Sequence, residues 1–136
     1  DDELMLEEDD LGEVRVINNE LTVKANIKIF SQDKIDTIKD AYCPKILTDK
    51  EIMTDRIVVE GIIKADVLYK TTDEEKNISD IKAEIPFSSA LDISGASEGM
   101  KSIIRAAVEN IDAAIEGNSI AIKVNVILSG KIMDEL

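Results

Sequence analysis

Residues 19–30 read NELTVKANIKIF, and residues 118–129 read NSIAIKVNVILS. Each segment places an apolar side chain at every second position and mostly polar side chains between them, and both carry Asn, Lys and Asn at matching places. A period of two over nine or more residues is typical of a half-buried β-strand. The sequence therefore predicts two equivalent long strands in a sheet, with chance similarity between alternating strands as the alternative.

Two further alternations lie between these segments. Residues 57–69 and residues 81–87 each place Ile, Val, Ala or an aromatic residue at most odd positions, and the polar run 71–77 connects them. This pattern predicts an antiparallel hairpin with a long solvated loop. Because proline cannot donate a backbone hydrogen bond, Pro86 places the end of its strand at a sheet edge.

The remaining stretches predict shorter elements. A strand begins within residues 14–17, and residues 35–38 are expected to continue the strand of residues 21–29 past an irregularity. Proline cannot donate to a β-ladder, so residues 40–44 are expected to close that segment at Pro44. The glycine-flanked residues 95–99 predict a turn.

Residues 101–116 fit two interpretations. Their apolar residues fall on one face of a helix of about 16 residues that ends at Gly117. The same residues also alternate well enough for a long strand that turns at Gly117 into the final strand. Periodicity alone leaves both open.

Composition and charge limit the class of protein. The 136 residues are 44% apolar but only 3% aromatic, so a core must be built from branched aliphatic side chains, which suits strands. The net charge of −13 disfavours nucleic acid and anionic membrane surfaces as partners. Residues 1–13 contain eight acids and no base, whereas residues 14–136 contain 16 basic and 21 acidic residues. We therefore expect a flexible acidic lead at 1–12 and a single domain at 13–136.

Few residues suit chemistry. The chain has no histidine, which excludes histidine-based triads and metal sites, and no apolar run long enough for a membrane span. Cys43 is the only cysteine, so an internal disulfide is impossible, and we interpret it as a buried or incidental thiol instead of a nucleophile. The acids show no catalytic motif or calcium-loop spacing. We expect no catalytic residue, cofactor or metal, and hence no enzyme.

Four stretches together carry a family resemblance: DAYCPK at 40–45, IVVEGIIKADVLYK at 57–70, AEIPFSSALDISGASEGM at 83–100 and AIKVNVILSGKI at 121–132. In this order they resemble the SPOCS (spore-coat-associated) domain family over roughly residues 14–132. The resemblance implies an all-β, mainly antiparallel sandwich or barrel-like domain of long strands, with one short helix allowed. It favours a strand at 101–116. Such domains occur in tandem, often with a LysM module, so we expect a fragment or a stand-alone member.

Sheet edges are the predicted contact sites, because a free edge can add a strand from a neighbour. The candidates beside such an edge are polar residues of the two repeated segments: Lys24, Asn26, Lys28, Lys123 and Asn125. A second candidate is the apolar triplet Leu4, Met5 and Leu6 within the acidic lead, which can dock on a neighbour.

The resemblance implies a structural or adaptor domain in assembly of the bacterial endospore coat, acting by protein–protein contacts. Its partners would be coat morphogenetic proteins similar to the SpoIVA ATPase, or copies of itself, in the mother-cell cytoplasm or at the spore surface. One alternative is a self-assembling subunit of a spore-surface filament. Another is a small-ligand or carbohydrate-binding β domain, which the scarcity of aromatic side chains disfavours.

Overall fold

The chain forms six long strands. A computed structural model describes residues 11–30, 33–75 and 77–135, and no helix occurs among them. The strands are β1 (Leu11–Lys28), β2 (Ile35–Met53), β3 (Arg56–Thr71), β4 (Ser79–Asp92), β5 (Lys101–Glu116) and β6 (Ser119–Glu135). The predicted all-β fold is therefore confirmed, and the short helix that it allowed does not form in the described residues.

The strands form two three-stranded antiparallel sheets that pack as a sandwich. Sheet A has the order β1-β6-β5 and sheet B the order β2-β3-β4, so β6 and β3 are the central strands. The central strands carry the most deeply buried aliphatic side chains, including Ile63 and Val67 on β3 and Val124 and Leu128 on β6, all fully buried. Side chains from both sheets meet in one hydrophobic core.

The two repeated segments lie side by side as β1 and β6. Leu21 pairs with Val126, Val23 with Val124, and Lys24 with Lys123. Lys24 and Lys123 also occupy matching places in the repeat, so a local two-fold relation passes through this pair. The prediction of two equivalent strands in a sheet is confirmed, and the two strands pair directly with each other in sheet A.

β5 explains why its sequence fitted two interpretations. A bulge between Val108 and Asn110 leaves Glu109 without a partner on β6. Before the bulge the core-facing residues are even-numbered, such as Ala106, and after it they are odd-numbered, such as Ile111. An extra residue that reverses the alternation mimics the spacing of an amphipathic helix. The strand interpretation of residues 101–116 is correct.

Two predictions about β2 are wrong. Ile35 begins a new strand in sheet B instead of continuing β1, and residues 40–44 lie inside β2 instead of closing it. Pro44 is tolerated because β2 is an edge strand and the register shifts between Tyr42 and Lys45. β1 also begins at Leu11, two residues before the expected domain boundary.

The β3–β4 hairpin follows the prediction. Its register runs without interruption from Arg56↔Asp92 to Tyr69↔Ser79, and β4, which contains Pro86, is the edge strand. The predicted turns also form, with positive φ at Gly95, Gly99 and Gly117.

The β2–β3 turn is tied to the segment that follows β4. Asp55, at φ 59°, accepts a 2.8 Å hydrogen bond from the Gly95 N–H through Oδ1. Its own N–H donates to the Ala96 carbonyl, and its carbonyl accepts from the Ile93 N–H. At one side of the sandwich, Lys50 Nζ on β2 donates to the Ser102 carbonyl on β5 at 2.6 Å. The Lys50 bond joins β2 and β5, which are edge strands of different sheets.

Candidate partner-binding surfaces

The residues predicted beside a strand edge all lie on the solvent face of sheet A. Lys24, Asn26 and Lys28 are on β1, which is an edge strand. Lys123 and Asn125 are on β6, which is the central strand, so they lie one strand away from that edge. The structure thus brings the five together as a face instead of an edge. The other candidates, Leu4, Met5 and Leu6, lie outside the described residues.

This face carries a short polar ladder across its three strands. Thr22 Oγ1 donates to Asn125 Oδ1 at 3.1 Å, and Asn125 lies opposite Asn110 on β5. Asn110 Nδ2 in turn donates to Asp112 Oδ2 at 3.0 Å. The Thr22–Asn125 bond joins β1 to β6 and helps to fix their pairing register, whereas the Asn110–Asp112 bond lies within β5.

A second polar cluster occupies the solvent face of sheet B. Asp66 on β3 is only 5% exposed, although it lies on the face of the sheet that is directed to solvent. Its Oδ2 accepts hydrogen bonds of 2.9 Å from both the Tyr42 hydroxyl on β2 and the Lys82 ammonium on β4. Lys82 also lies 3.4 Å from Asp80. One carboxylate therefore joins all three strands of sheet B.

These neighbours favour the charged form of Asp66. The Asp80 side chain, followed by the hydrogen bonds from Lys82 and Tyr42, holds the pKa of Asp66 below its usual range, although burial opposes this. The bond to Asp66 is also the main reason that the pKa of Tyr42 is raised. The cluster is arranged to stabilise the sheet with Asp66 ionised.

Replacing Asp66 by asparagine is expected to lower the thermal midpoint at pH 7 and to have less effect in acid. A folded-state pKa below the unfolded value gives stability that is present above about pH 3.9 and is lost as the pH falls through the folded-state pKa. Thermal unfolding followed by circular dichroism from pH 2 to pH 8 should show the two midpoints converging below about pH 4. Asp92→Asn, at an exposed end of β4, is the matched control. A gap between Asp66→Asn and the wild type that stays constant over this range would contradict the assignment.

An apolar row crosses the same face of sheet B. Leu47 on β2 pairs with Ile62 on β3, which pairs with Pro86 on β4. Leu47 is 40% exposed and Ile62 is 38% exposed. The three residues line an open groove whose other lining residues include Asp49, Glu60 and Ser88. An apolar centre with a polar rim is the usual anatomy of a protein–protein contact.

Cys43 lies in the irregular part of β2. Its Sγ donates to the Lys45 carbonyl at 3.2 Å, and partial burial raises the pKa of the thiol. A neutral thiol is a weak nucleophile, which supports the interpretation of Cys43 as a buried or incidental thiol.

The described part of the chain offers neither a cluster of three or more metal-ligating His, Cys, Asp or Glu side chains nor a helix with the length and hydropathy of a membrane span.

The geometry defines a small antiparallel β-sandwich with two notable solvent faces. The face of sheet A carries Lys24, Lys28 and Lys123, and the face of sheet B carries the apolar row. The chain belongs to the SipL, SPOCS domain family: the family model matches residues 34–116, more than half of the sequence. The family resemblance is thus confirmed over a shorter range than expected, and it connects the chain with sporulation. No curated protein and no solved structure matches the chain.

Sequence reasoning missed both features of sheet B. Ile62 and Asp66 occupy the face of β3 that the alternation assigned to solvent, where an apolar residue or a buried acid is not expected. The signal that was present is the set of aliphatic residues Val58, Ile62 and Leu68 among the charged residues of this face. Without the register that places Leu47 and Pro86 beside Ile62, such residues are unremarkable.

Proposed function

We propose that this domain is a non-enzymatic structural adaptor in assembly of the bacterial endospore coat. It acts by binding coat morphogenetic proteins similar to the SpoIVA ATPase, in the mother-cell cytoplasm or on the developing spore surface. Family membership supports the connection with sporulation. The observation that carries the contact mechanism is the apolar row Leu47, Ile62 and Pro86 on the solvent face of sheet B.

The row has the properties of a contact centre. Its residues come from all three strands of sheet B, so the backbone holds their spacing without loop ordering on binding. Just along β3, the Asp66 cluster fixes the neighbouring part of the face. Apolar side chains held on a rigid sheet and surrounded by polar residues gain most when a partner removes them from water.

The test compares binding before and after the row is made polar. In the variant Leu47→Gln/Ile62→Thr, threonine retains strand propensity at the central position. Affinity for a purified SpoIVA-like coat protein, measured by biolayer interferometry, is expected to fall at least about tenfold, equivalent to about 1.4 kcal/mol. Urea unfolding checks that the variant remains folded.

Val16→Thr is the matched control, because Val16 is 74% exposed on the face of sheet A. It is expected to bind like the wild type. Equal binding by the Leu47→Gln/Ile62→Thr variant would remove the row from the mechanism, and the absence of any coat protein in a pull-down from sporulating cells would count against the adaptor role.

A second candidate function is a self-assembling subunit of a spore-surface filament. The observation that favours it is the set of exposed lysines Lys24, Lys28 and Lys123 on sheet A, because this face is separate from the one that carries the apolar row.

A further inference from the structure

Three lysines of the sheet A face form a cationic surface near the β5–β6 turn. Lys24 and Lys123 are direct cross-strand neighbours, and Lys28 pairs with Ser119 at the start of β6. Phe30, two residues after Lys28, is 89% exposed, and the Lys28 ammonium lies 5.5 Å from the centre of its ring. We call Lys24, Lys28, Lys123 and Phe30 the lysine surface.

The ammonium groups of the lysine surface form no ion pair with the described residues, although Asp112 and Glu116 line the groove beside Lys24 and Lys123. Within residues 11–30, 33–75 and 77–135, no carboxylate lies within 4 Å of the ammonium groups of Lys24, Lys28 or Lys123. Asp112, which lies opposite Lys123 on β5, instead accepts a hydrogen bond from Asn110. Like charges directly opposite each other on a sheet are destabilising. An anionic partner would relieve this repulsion. A group of three lysines is also unusual for this chain, because its basic residues are the minority and its net charge is −13.

The lysine surface also has an apolar component. Beside Lys24 and Lys123 runs an open groove whose lining includes the small residues Ala114 and Ala121, which leave room above the sheet. The acids Asp112 and Glu116 also line it, so the apolar part of a ligand would lie in the groove and its carboxylates at the lysines. Phe30 adds a large exposed ring at the same end of the face. A ligand that fits this surface should therefore combine carboxylates with short apolar segments.

The chain contains such a segment in its own acidic lead. Residues 1–12 carry seven acids and no base, and the apolar triplet Leu4, Met5 and Leu6 lies between two groups of these acids. Methionine makes favourable contacts with aromatic rings, and Phe30 offers one. The lead thus matches the lysine surface in both charge and apolar content.

The lead cannot reach the lysine surface of its own copy. Lys24 lies 13 residues beyond Leu11 on the continuous strand β1, which at about 3.3 Å per residue is about 43 Å. Leu4 is seven residues before Leu11, and a fully extended chain spans at most about 25 Å over that length. The matching lead must therefore come from another copy.

We propose that the acidic lead of one copy binds the lysine surface of a second copy. Leu4, Met5 and Leu6 pack against Phe30 and the alanine-lined groove, and the flanking carboxylates pair with the three lysines. The inference deepens the proposed function in its self-assembling form and rests on it. Because the two contacting surfaces differ, each copy retains one free lead and one free lysine surface, and assembly continues head to tail.

Two complementary variants of the full chain test the proposal. The lead variant is Leu4→Ser/Met5→Ser/Leu6→Ser, and the surface variant is Lys24→Glu/Lys123→Glu. Sedimentation velocity over a concentration series should show the wild type associating, and each variant alone associating at least tenfold more weakly. An equimolar mixture of the variants should form a heterodimer and nothing larger, because only one intact lead–surface pair exists in each complex.

Lys45→Glu/Lys131→Glu is the charge-matched control, because it changes the net charge equally at exposed lysines outside the lysine surface. It should associate like the wild type. A wild type that stays monomeric, a lead variant that associates normally, or a mixture without heterodimer overturns the inference. A monomeric chain that still binds a coat protein through Leu47 and Ile62 overturns this inference alone and leaves the adaptor role intact.

Discussion

Gly130→Ala is expected to lower the free energy of unfolding by at least about 3 kcal/mol or to prevent folding, although it adds one methyl group. Gly130 lies on the central strand β6, between Ile17 on β1 and Ile104 on β5. A Cβ atom at this position would overlap the carbonyl oxygen of Ile103, and it would lie 2.9 Å from the Ile103 carbonyl carbon and 3.0 Å from the Ile104 Cα. All of these atoms belong to the backbone, so no side-chain rotation can relieve the overlap. Accommodation requires β5 to move away from β6.

Urea unfolding followed by circular dichroism measures this effect, and recovery of Gly130→Ala only as insoluble protein agrees with it. Ser129→Ala, at the exposed neighbouring position of β6, is the control and should change the stability by less than about 0.5 kcal/mol. Wild-type stability in Gly130→Ala would mean that β5 and β6 are not as close as the structure shows.

Alternation alone predicted the strands that contain no extra residue at a register shift. β3, β4 and β6 keep a period of two throughout their core-facing residues, and the β3–β4 register has no shift. β2 has three register shifts and β5 has one. Each extra residue exchanges the core face and the solvent face, so the local pattern no longer reports a strand. This is why residues 101–116 fitted a helix. Residues 40–44 were expected to end a segment for a different reason, Pro44, which β2 tolerates because it is an edge strand.

The contact surfaces were less predictable because they depend on register. Lys24 and Lys123 could be linked from the repeat, since matching positions of the two segments are visible in the sequence. Leu47, Ile62 and Pro86 come from three strands with no repeat between them, and only the pairing brings them into one row. Family resemblance identifies the fold in such a case, but it does not identify which side chains share a face.

Gly61 and Phe87 are expected to be energetically coupled. They are cross-strand partners, and the Phe87 ring covers the space where a Cβ of Gly61 would lie, with overlap at its Cε1 and Cζ atoms. Gly61→Ala alone is expected to lower the free energy of unfolding by about 1–3 kcal/mol through overpacking. Phe87→Leu alone should lower it by about 1–2 kcal/mol, because Phe87 is buried and leucine leaves space unfilled.

The double variant is expected to be more stable than the sum of the single effects predicts, by at least about 1 kcal/mol. Leucine lacks the two ring atoms that overlap the added methyl group, and the methyl group fills part of the space that the ring leaves. Relief is incomplete because the Leu47 carbonyl oxygen, a backbone atom, lies 2.8 Å from the same Cβ position. Equilibrium urea unfolding of all four proteins gives the coupling energy directly.

The control cycle pairs Phe87→Leu with Gly99→Ala. A Cβ at Gly99 would meet no atom within 4 Å, although its φ of 86° makes the substitution strained. The two effects in this cycle should therefore add within about 0.5 kcal/mol, because the sites share no contact. If the Gly61 cycle is equally additive, the ring does not cover the glycine in solution. A positive coupling at Gly61 alone would show that the Phe87 ring packs directly over the glycine on the core side of sheet B.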